Sequence, residues 1–324
     1  MARVMKYHPH GSVLFCTFGI EEGLLLLSNP LCIAVIQSCL ARAQVLYPVK
    51  VCHVLTEATH VHMVLVVDDP DHVPSFIRSF KVETAHMLNR ILGRDKRTVW
   101  CEGYDSPIVL TPARALAAIA YLYANPAKDN LEGSIDNYPG FSSWQMFQQG
   151  NLVQRWKRLR RSQFRRLKGR DHSLRGYSEE ALRIVEKSSE YQTFTLEPNA
   201  WMEAFGITAP EDQKKINEKL VERIRTLEQR AQLRRKREGK SILGRVRMLN
   251  EKLDTAHRPT RSGRKSWCLS ERRSVRIRFI KFFRELMRKA RAVSQRWLMG
   301  EFSERYPPGL YPPNMPKLAN VLGW

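Results

Sequence analysis

Apolar residues recur along the first third of the chain in two different periods. Alternate positions of a strand face opposite sides, whereas a helix repeats its apolar positions every three to four residues. Phe76, Phe80 and Met87 follow the helical period, and the run 61–67 is rich in β-branched residues, which favour strands. The patterns predict six elements in the order strand, helix, strand, strand, helix, strand: Ser12–Phe18, Leu31–Leu46, Lys50–Leu55, Val61–Val67, Pro74–Leu92 and Ser106–Leu110.

This order is the ferredoxin-like pattern, an α+β fold built on a central antiparallel sheet. A further helix should follow directly. Thr111 is a good N-cap residue, Pro112 suits the first helical position, and residues 113–120 are strong helix formers. We therefore expect a rigid, well-initiated helix immediately after the sheet.

Two histidines at the third predicted strand are candidate metal ligands. His60 and His62 flank Val61, and the strand period of two turns both imidazoles to one face. With a rise of roughly 3.3 Å per residue they lie about 6.6 Å apart along the strand, so both can close on one cation. Taken alone, such a pair is more often formed by ordinary half-buried histidines.

A tyrosine and an asparagine on the helix after the sheet are the second candidate group. Tyr121 and Asn125 occupy positions i and i+4, so phenol and amide share one face. Tyr123 diverges from Tyr121 by about 200° around the helix axis, so only one of the two phenols can face the histidines and Tyr123 should pack elsewhere. Taken alone, Tyr121 would be a core aromatic, and Asn125-Pro126 would mark a helix end.

These segments resemble the HUH superfamily of single-tyrosine transposases, and most closely the REP-associated tyrosine transposases. The resemblance covers roughly residues 10–147. It is carried by LTEATHVH at Leu55–His62, YLYANP at Tyr121–Pro126 and YPGFSSW at Tyr138–Trp144. The combination of order, spacing and trailing aromatic motif is far rarer than any one of its parts.

The resemblance implies a role for each candidate residue. His60 and His62 would bind a divalent ion, Mg²⁺ or Mn²⁺, and Tyr121 would be the nucleophile that forms a 5′-phosphotyrosine intermediate. Asn125 would complete the metal shell, although Glu57 is near enough in sequence to compete for that position. The implied substrate is single-stranded or hairpin DNA from palindromic repeats, and the implied fold is the HUH endonuclease domain.

The distribution of charge points independently to a polyanionic partner. The chain carries 54 Lys and Arg against 32 Asp and Glu, a net charge of +22. Residues 1–150 hold 12 basic and 13 acidic side chains, which leaves 42 basic and 19 acidic for residues 151–324. Binding to phosphates releases counterions and is strong for such a surface. We predict a catalytic domain over 1–150 and a basic DNA-binding or regulatory extension over 151–324.

The basic extension should be mainly helical. Apolar residues recur on one face in three segments: Glu179–Ser188, Gln213–Arg237 and Ser274–Leu298. Arg258–Arg264 is predicted as a basic loop and Tyr306–Pro313 as an extended surface tail. A basic amphipathic helix is as often a solvated packing helix as a nucleic-acid contact, and no known DNA-binding fold is evident.

Composition also bears on location. The six cysteines include no C-x-x-C pair and lie mostly in apolar segments, so we expect reduced core thiols. No apolar run approaches the roughly 18–20 residues that span a bilayer, and no lipidation signal is present. The short apolar stretch at 13–20 is followed by two glutamates, unlike a signal peptide. We expect a cytoplasmic, nucleoid-associated protein without a membrane partner, either a monomer or a homodimer.

The sequence therefore predicts a metal-dependent DNA endonuclease and transposase with a tyrosine nucleophile. Two alternatives remain open. The chain could be a catalytically inactive DNA-binding or repressor protein that works through residues 151–324. Its basic part could instead bind structured RNA.

Overall fold

The structure is a computed structural model that describes residues 6–92, 98–164, 174–251, 266–310 and 312, with the backbone alone for 174–179. Within these ranges the strands are β1 (Val13–Gly19), β2 (Lys50–Glu57), β3 (His60–Val66), β4 (Ile108–Val109), β5 (Val153–Lys157), β6 (Tyr191–Thr195) and β7 (Cys268–Leu269). The helices are α1 (Pro30–Leu46), α2 (His72–Ile91), α3 (Pro112–Lys128), α4 (Trp144–Gln149), α5 (Leu174–Lys187), α6 (Ala200–Glu203), α7 (Pro210–Glu238), α8 (Arg245–Leu249) and α9 (Arg273–Leu298).

The first four strands form an antiparallel sheet in the order β2-β3-β1-β4. Helix α1 connects β1 to β2, and α2 connects β3 to β4. This arrangement confirms the predicted α+β, ferredoxin-like pattern with its central antiparallel sheet. Strand β7 adds a fifth member at the β4 edge, where it runs parallel to β4.

Alternating side chains divide the sheet into two buried faces. Leu14 and Cys16 of β1 belong to the cluster formed with α1 and α2. Val13 belongs to the cluster on the opposite face, formed with α3 and α7, and Phe15 packs against it. Because both faces are covered, each strand carries an almost continuous apolar run, as the sequence shows.

Helix α3 begins at the predicted cap and continues through the Asn-Pro pair. The Thr111 hydroxyl caps it by accepting a backbone N–H three residues on, at 3.3 Å. The helix then continues through Asn125 and Pro126 to Lys128. A proline near a helix end removes one internal hydrogen bond, and here its own carbonyl accepts the backbone N–H of Leu131 at 2.9 Å. The Asn-Pro pair therefore lies inside the last turn instead of stopping the helix.

The second part of the chain contains the three predicted helices as α5, α7 and α9. Strands β5 and β6 were not predicted; they form a separate antiparallel ribbon that lies against α1. The predicted basic loop Arg258–Arg264 falls outside the described residues. The predicted surface tail is packed where it is described, because Leu310 is buried and bridges to Tyr7.

Elements after residue 150 complete the core that earlier elements begin. Helix α7 places Leu220 and Ile224 against α3. Gln44 of α1 exchanges two hydrogen bonds with the backbone of Thr195 in β6, each of 2.9 Å. Packing thus runs across residue 150, while the change in charge at that point is a separate matter of surface composition.

The composition led us to expect reduced cysteine thiols in the core and no membrane-spanning segment. None of the six cysteines, all of which lie in the described ranges, forms a disulfide bond, and five of them are buried. None of the helices in the described ranges combines the length and the apolar content needed to cross a bilayer.

Candidate active site

A tight hairpin between β2 and β3 brings three potential metal ligands together. In its register Glu57 lies directly opposite His60, and His62 follows two residues later on the same strand. The turn between the strands includes Ala58, whose φ of 22° allows the sharp reversal. Because strand side chains alternate, Glu57, His60 and His62 all project from the sheet face that α3 covers.

The ligand atoms of this triad are close enough to share one ion. His60 Nε2 lies 3.1 Å from a Glu57 carboxylate oxygen, and His62 Nε2 lies 3.8 Å from the same oxygen. One ligand atom from each residue lies within 4.8 Å of the other two. Ligands about 2.0–2.2 Å from a shared ion are themselves separated by roughly 3–3.5 Å, so small side-chain adjustments suffice.

His62 is prepared for coordination by its surroundings. Its Nδ1 lies 2.9 Å from the Thr17 hydroxyl oxygen, and its buried Nε2 has no hydrogen-bond partner among the described residues. A partner on Nδ1 fixes the ring and leaves the Nε2 lone pair for a metal. Burial lowers the pKa of His62 well below its usual value, and the neighbouring His60 and Lys128 lower it further. The imidazole is therefore held neutral, which is the form that binds metals.

Glu57 supplies a carboxylate in the same buried place. Burial raises the pKa of Glu57 above its usual value, His60 opposes that rise, and the neighbouring Asp129 adds to it. A cation bound beside these groups would stabilise the ionised carboxylate, which the protein alone stabilises poorly. One carboxylate and two imidazoles form a donor set that fits Mn²⁺ and Mg²⁺ as well as softer divalent ions.

Tyr121 lies beside this cluster on α3. Its side chain is 41% exposed, and its ring centre is 6.4 Å from that of His62. Tyr123 faces the opposite way and is fully buried. The Tyr123 hydroxyl lies 2.9 Å from His53 Nδ1 and 2.8 Å from the Ser143 hydroxyl. Of the two phenols, Tyr121 is thus the one open to a ligand, while Tyr123 and His53 are packed core residues.

A lysine that the sequence reasoning missed completes this side of the site. Lys128 Nζ donates to the Tyr121 hydroxyl oxygen at 2.6 Å and to Asn125 Oδ1 at 3.3 Å. The ammonium also lies 4.1 Å from the centre of the Tyr121 ring. Asn125 is buried, and its Nδ2 has no hydrogen-bond partner among the described residues. Tyr121, Asn125 and Lys128 occupy positions i, i+4 and i+7. These positions share one face only if the helix continues past Pro126.

The segment 138–144 holds the β2–β3 hairpin from outside the sheet. The Tyr138 hydroxyl donates to the Thr56 carbonyl at 2.8 Å and accepts the Ala58 N–H at 3.1 Å. The Thr56 N–H donates to the Phe141 carbonyl at 2.8 Å. This segment therefore runs along the free edge of β2 and holds the strand end that carries Glu57.

Comparison with known proteins adds one structural likeness. No known protein-family model matches the chain, and no curated protein matches it. A solved structure of a REP-associated tyrosine transposase bound to a REP hairpin is similar over 45% of this chain and 84% of the other, at 16% sequence identity and a TM-score of 0.40. A likeness of this size assigns no activity to the chain.

Proposed function

We propose that the chain is a metal-dependent endonuclease and strand transferase that acts on single-stranded or hairpin DNA, with Tyr121 as the nucleophile. One observation carries the proposal. The exposed phenol of Tyr121 lies beside a cluster of one carboxylate and two imidazoles, of which Glu57 and His62 are buried and His60 is half-buried. The motif resemblance to single-tyrosine transposases gives the same assignment.

Glu57, His60 and His62 would hold the ion, the two histidines through Nε2. Asn125 is the further ligand that the resemblance implies, and its buried amide lies one helical turn from Tyr121. A bound Mg²⁺ or Mn²⁺ would polarise a non-bridging oxygen of the scissile phosphate. The protein contributes the rest of the site by fixing Tyr121 on a capped helix and the histidines on a paired strand.

The chemistry that Tyr121 would perform is an in-line displacement at phosphorus. A bond forms between the Tyr121 oxygen and phosphorus as the bond from phosphorus to the 3′ oxygen breaks. The tyrosine proton passes to solvent, and the departing 3′ oxygen takes up a proton to become a hydroxyl. Lys128, 2.6 Å from the Tyr121 oxygen, stabilises the negative charge that this oxygen carries as its proton leaves.

The product is DNA joined to Tyr121 through its 5′ phosphate, with a free 3′ hydroxyl on the other fragment. A phosphodiester has been exchanged for another phosphodiester, so a second 3′ hydroxyl can reverse the step and join strands without a nucleotide cofactor. Within this proposal residues 1–150 supply the catalytic groups. Residues 151–324, with 42 basic and 19 acidic side chains, supply most of the attraction for the phosphate backbone.

The test is formation of a covalent adduct that survives denaturation, on a labelled pool of single-stranded hairpins with Mn²⁺ or Mg²⁺. Tyr121→Phe removes only the hydroxyl and should abolish the adduct while binding stays within a few-fold. Tyr123→Phe is the matched control and should keep the adduct wherever circular dichroism shows a folded chain. An adduct that persists in Tyr121→Phe rejects the nucleophile.

A second outcome separates the alternatives. Tight hairpin binding by the unaltered chain with no adduct in either metal would favour a DNA-binding or repressor role. Stronger binding to a matched RNA hairpin than to DNA would favour a structured-RNA partner.

A further inference from the structure

Helix α9 presents an unusually basic face to solvent. It contains nine basic residues and one acidic residue, Glu285, and all nine basic side chains are exposed. Glu285 pairs with Arg288 at 2.7 Å, and Glu304 pairs with Arg296. Seven of the nine are arginines, whose planar guanidinium groups match phosphate oxygens two at a time. The helix therefore offers a polyanion far more positive charge than its own carboxylates neutralise.

The apolar face of α9 is already occupied by the protein. Phe283 is buried, with its ring 5.1 Å from Trp267 and 5.9 Å from Tyr7. Trp297 is buried further along the helix, with its ring 5.5 Å from Tyr306. A helix that binds a membrane surface inserts its apolar face among the lipids. In α9 the buried part of that face, with Phe283, Ala290, Val293 and Trp297, packs against the protein. The exposed surface carries nine cations and only three large apolar side chains, Ile277, Phe282 and Leu298, so it suits a nucleic acid better than a bilayer.

Four of the exposed cations form a row along the helix: Lys281, Arg284, Arg288 and Arg291, here called the α9 row. Their spacings of three and four residues keep them on one side of the helix. At about 1.5 Å per residue the row is roughly 15 Å long. One DNA strand carries a phosphate about every 3.4 Å along the helix axis, so the row faces about four phosphates.

We propose that the exposed face of α9, centred on the α9 row, binds the sugar-phosphate backbone of a nucleic acid. The inference deepens the proposed function by naming the surface that holds the substrate outside the tyrosine site. The proposed binding does not depend on cleavage, because it can be measured in the Tyr121→Phe variant. Failure of this surface and failure of the nucleophile are therefore distinguishable.

The experiment changes all four residues of the α9 row to glutamine in the full chain, in the Tyr121→Phe background. Glutamine keeps helix propensity and removes the charge. The matched control changes four exposed cations on the first half of α7, where glutamate and aspartate alternate with them: Lys214, Lys215, Lys219 and Arg223. Both variants lose four positive charges, so net charge alone affects them equally. Fluorescence anisotropy with a labelled single-stranded oligonucleotide, repeated over a range of salt concentrations, reports affinity and salt slope.

Each phosphate contact on a single strand contributes about 0.7 to the slope of log affinity against log salt. At about 0.15 M salt that corresponds to roughly a fourfold change in affinity per contact. We expect the α9 variant to lose about 15-fold in affinity if two contacts disappear and about 200-fold if four do, with a shallower slope. The control should change by less than about threefold.

Three results would overturn the proposal. Unchanged affinity and slope in the α9 variant would show that the row does not touch nucleic acid. Equal losses of affinity in the α9 variant and the α7 control would show that net charge alone, and not the position of the row, determines binding. Binding to phosphatidylserine vesicles that depends on the row, with oligonucleotide binding unaffected, would assign the surface to a membrane. Matched DNA and RNA hairpins then distinguish the two sources of the same backbone chemistry.

Discussion

Leu220→Ala tests whether α7 is part of the structure that supports α3, the helix that carries Tyr121. Leu220 is fully buried in the cluster that also contains Ile224 of α7 and Tyr123 of α3. Polar contacts lie along the same interface: Glu228 accepts the Ile135 N–H at 2.8 Å, and the buried Arg235 donates to the Ala127 carbonyl. Truncating Leu220 removes apolar contacts from the middle of this interface and leaves a cavity.

The expected size of the effect follows from the burial. Leucine to alanine changes at fully buried positions cost about 2–5 kcal/mol, because the lost transfer free energy adds to the cost of the cavity. We expect about 3 kcal/mol for Leu220→Ala, or roughly a 150-fold shift in the folding equilibrium. Leu233 is the matched control on the same helix, because its side chain is 61% exposed. Leu233→Ala should change stability by less than about 0.5 kcal/mol.

Urea unfolding followed by circular dichroism measures both variants, and amide hydrogen exchange locates the effect. Protection of the α3 amides should fall in Leu220→Ala, since α3 is the helix against which Leu220 packs. A loss of stability below about 1 kcal/mol in Leu220→Ala, or equal losses in the two variants, would refute the view that α7 belongs to the core around the ferredoxin-like sheet.

Three further predictions concern the site and its surroundings. Lys128→Met removes a charged donor from the Tyr121 oxygen, worth about 1.5–3 kcal/mol, so single-turnover adduct formation should slow by about 10- to 150-fold; an unchanged rate excludes Lys128 from the reaction. Glu57→Gln should weaken Mn²⁺ binding, followed by calorimetry, by at least about tenfold, whereas an unchanged affinity would leave the third position to Asn125. Burial lowers the pKa of His53 to about 3 in the folded chain. Below about pH 6.5 the unfolded chain therefore binds a proton at His53 that the folded chain does not bind. Proton binding at His53 therefore leaves the free energy of unfolding unchanged above about pH 6.5 and lowers it as the pH falls, by about 2 kcal/mol at about pH 5. His53→Gln should make this fall in urea-measured stability shallower, and identical pH slopes would contradict the assignment.

The sequence was sufficient for the ferredoxin-like sheet because β1, β2 and β3 are long apolar runs and the helices between the strands have clear apolar periods. Strand β7 is two residues long, and only its tertiary pairing with β4 makes it a strand. Strands β5 and β6 carry polar and charged residues on an exposed ribbon, so their hydrophobic signal is weak. Short or solvent-facing strands depend on partners that a local pattern does not contain.

The candidate site divides in the same way. The strand period places His60 and His62 on one face, and the helix period separates Tyr121 from Tyr123. Glu57 joins the histidines only through the register of the hairpin, which a local pattern leaves open. Lys128 was missed because Asn125-Pro126, taken alone, indicates a helix end. The helix continues for two more residues, and the second of them, Lys128, lies on the Tyr121 face.

The parallel pairing of β7 with β4 has a consequence for the newly synthesised chain. Ile108 in β4 pairs with Cys268 in β7, which is synthesised roughly 160 residues later, so the β4 edge of the sheet stays uncovered until then. At about 5–20 residues per second the ribosome needs roughly 8–30 s to supply that partner. During this interval the unpaired β4 edge is open to strands of other nascent chains, so slow translation between these two points would favour aggregation over assembly.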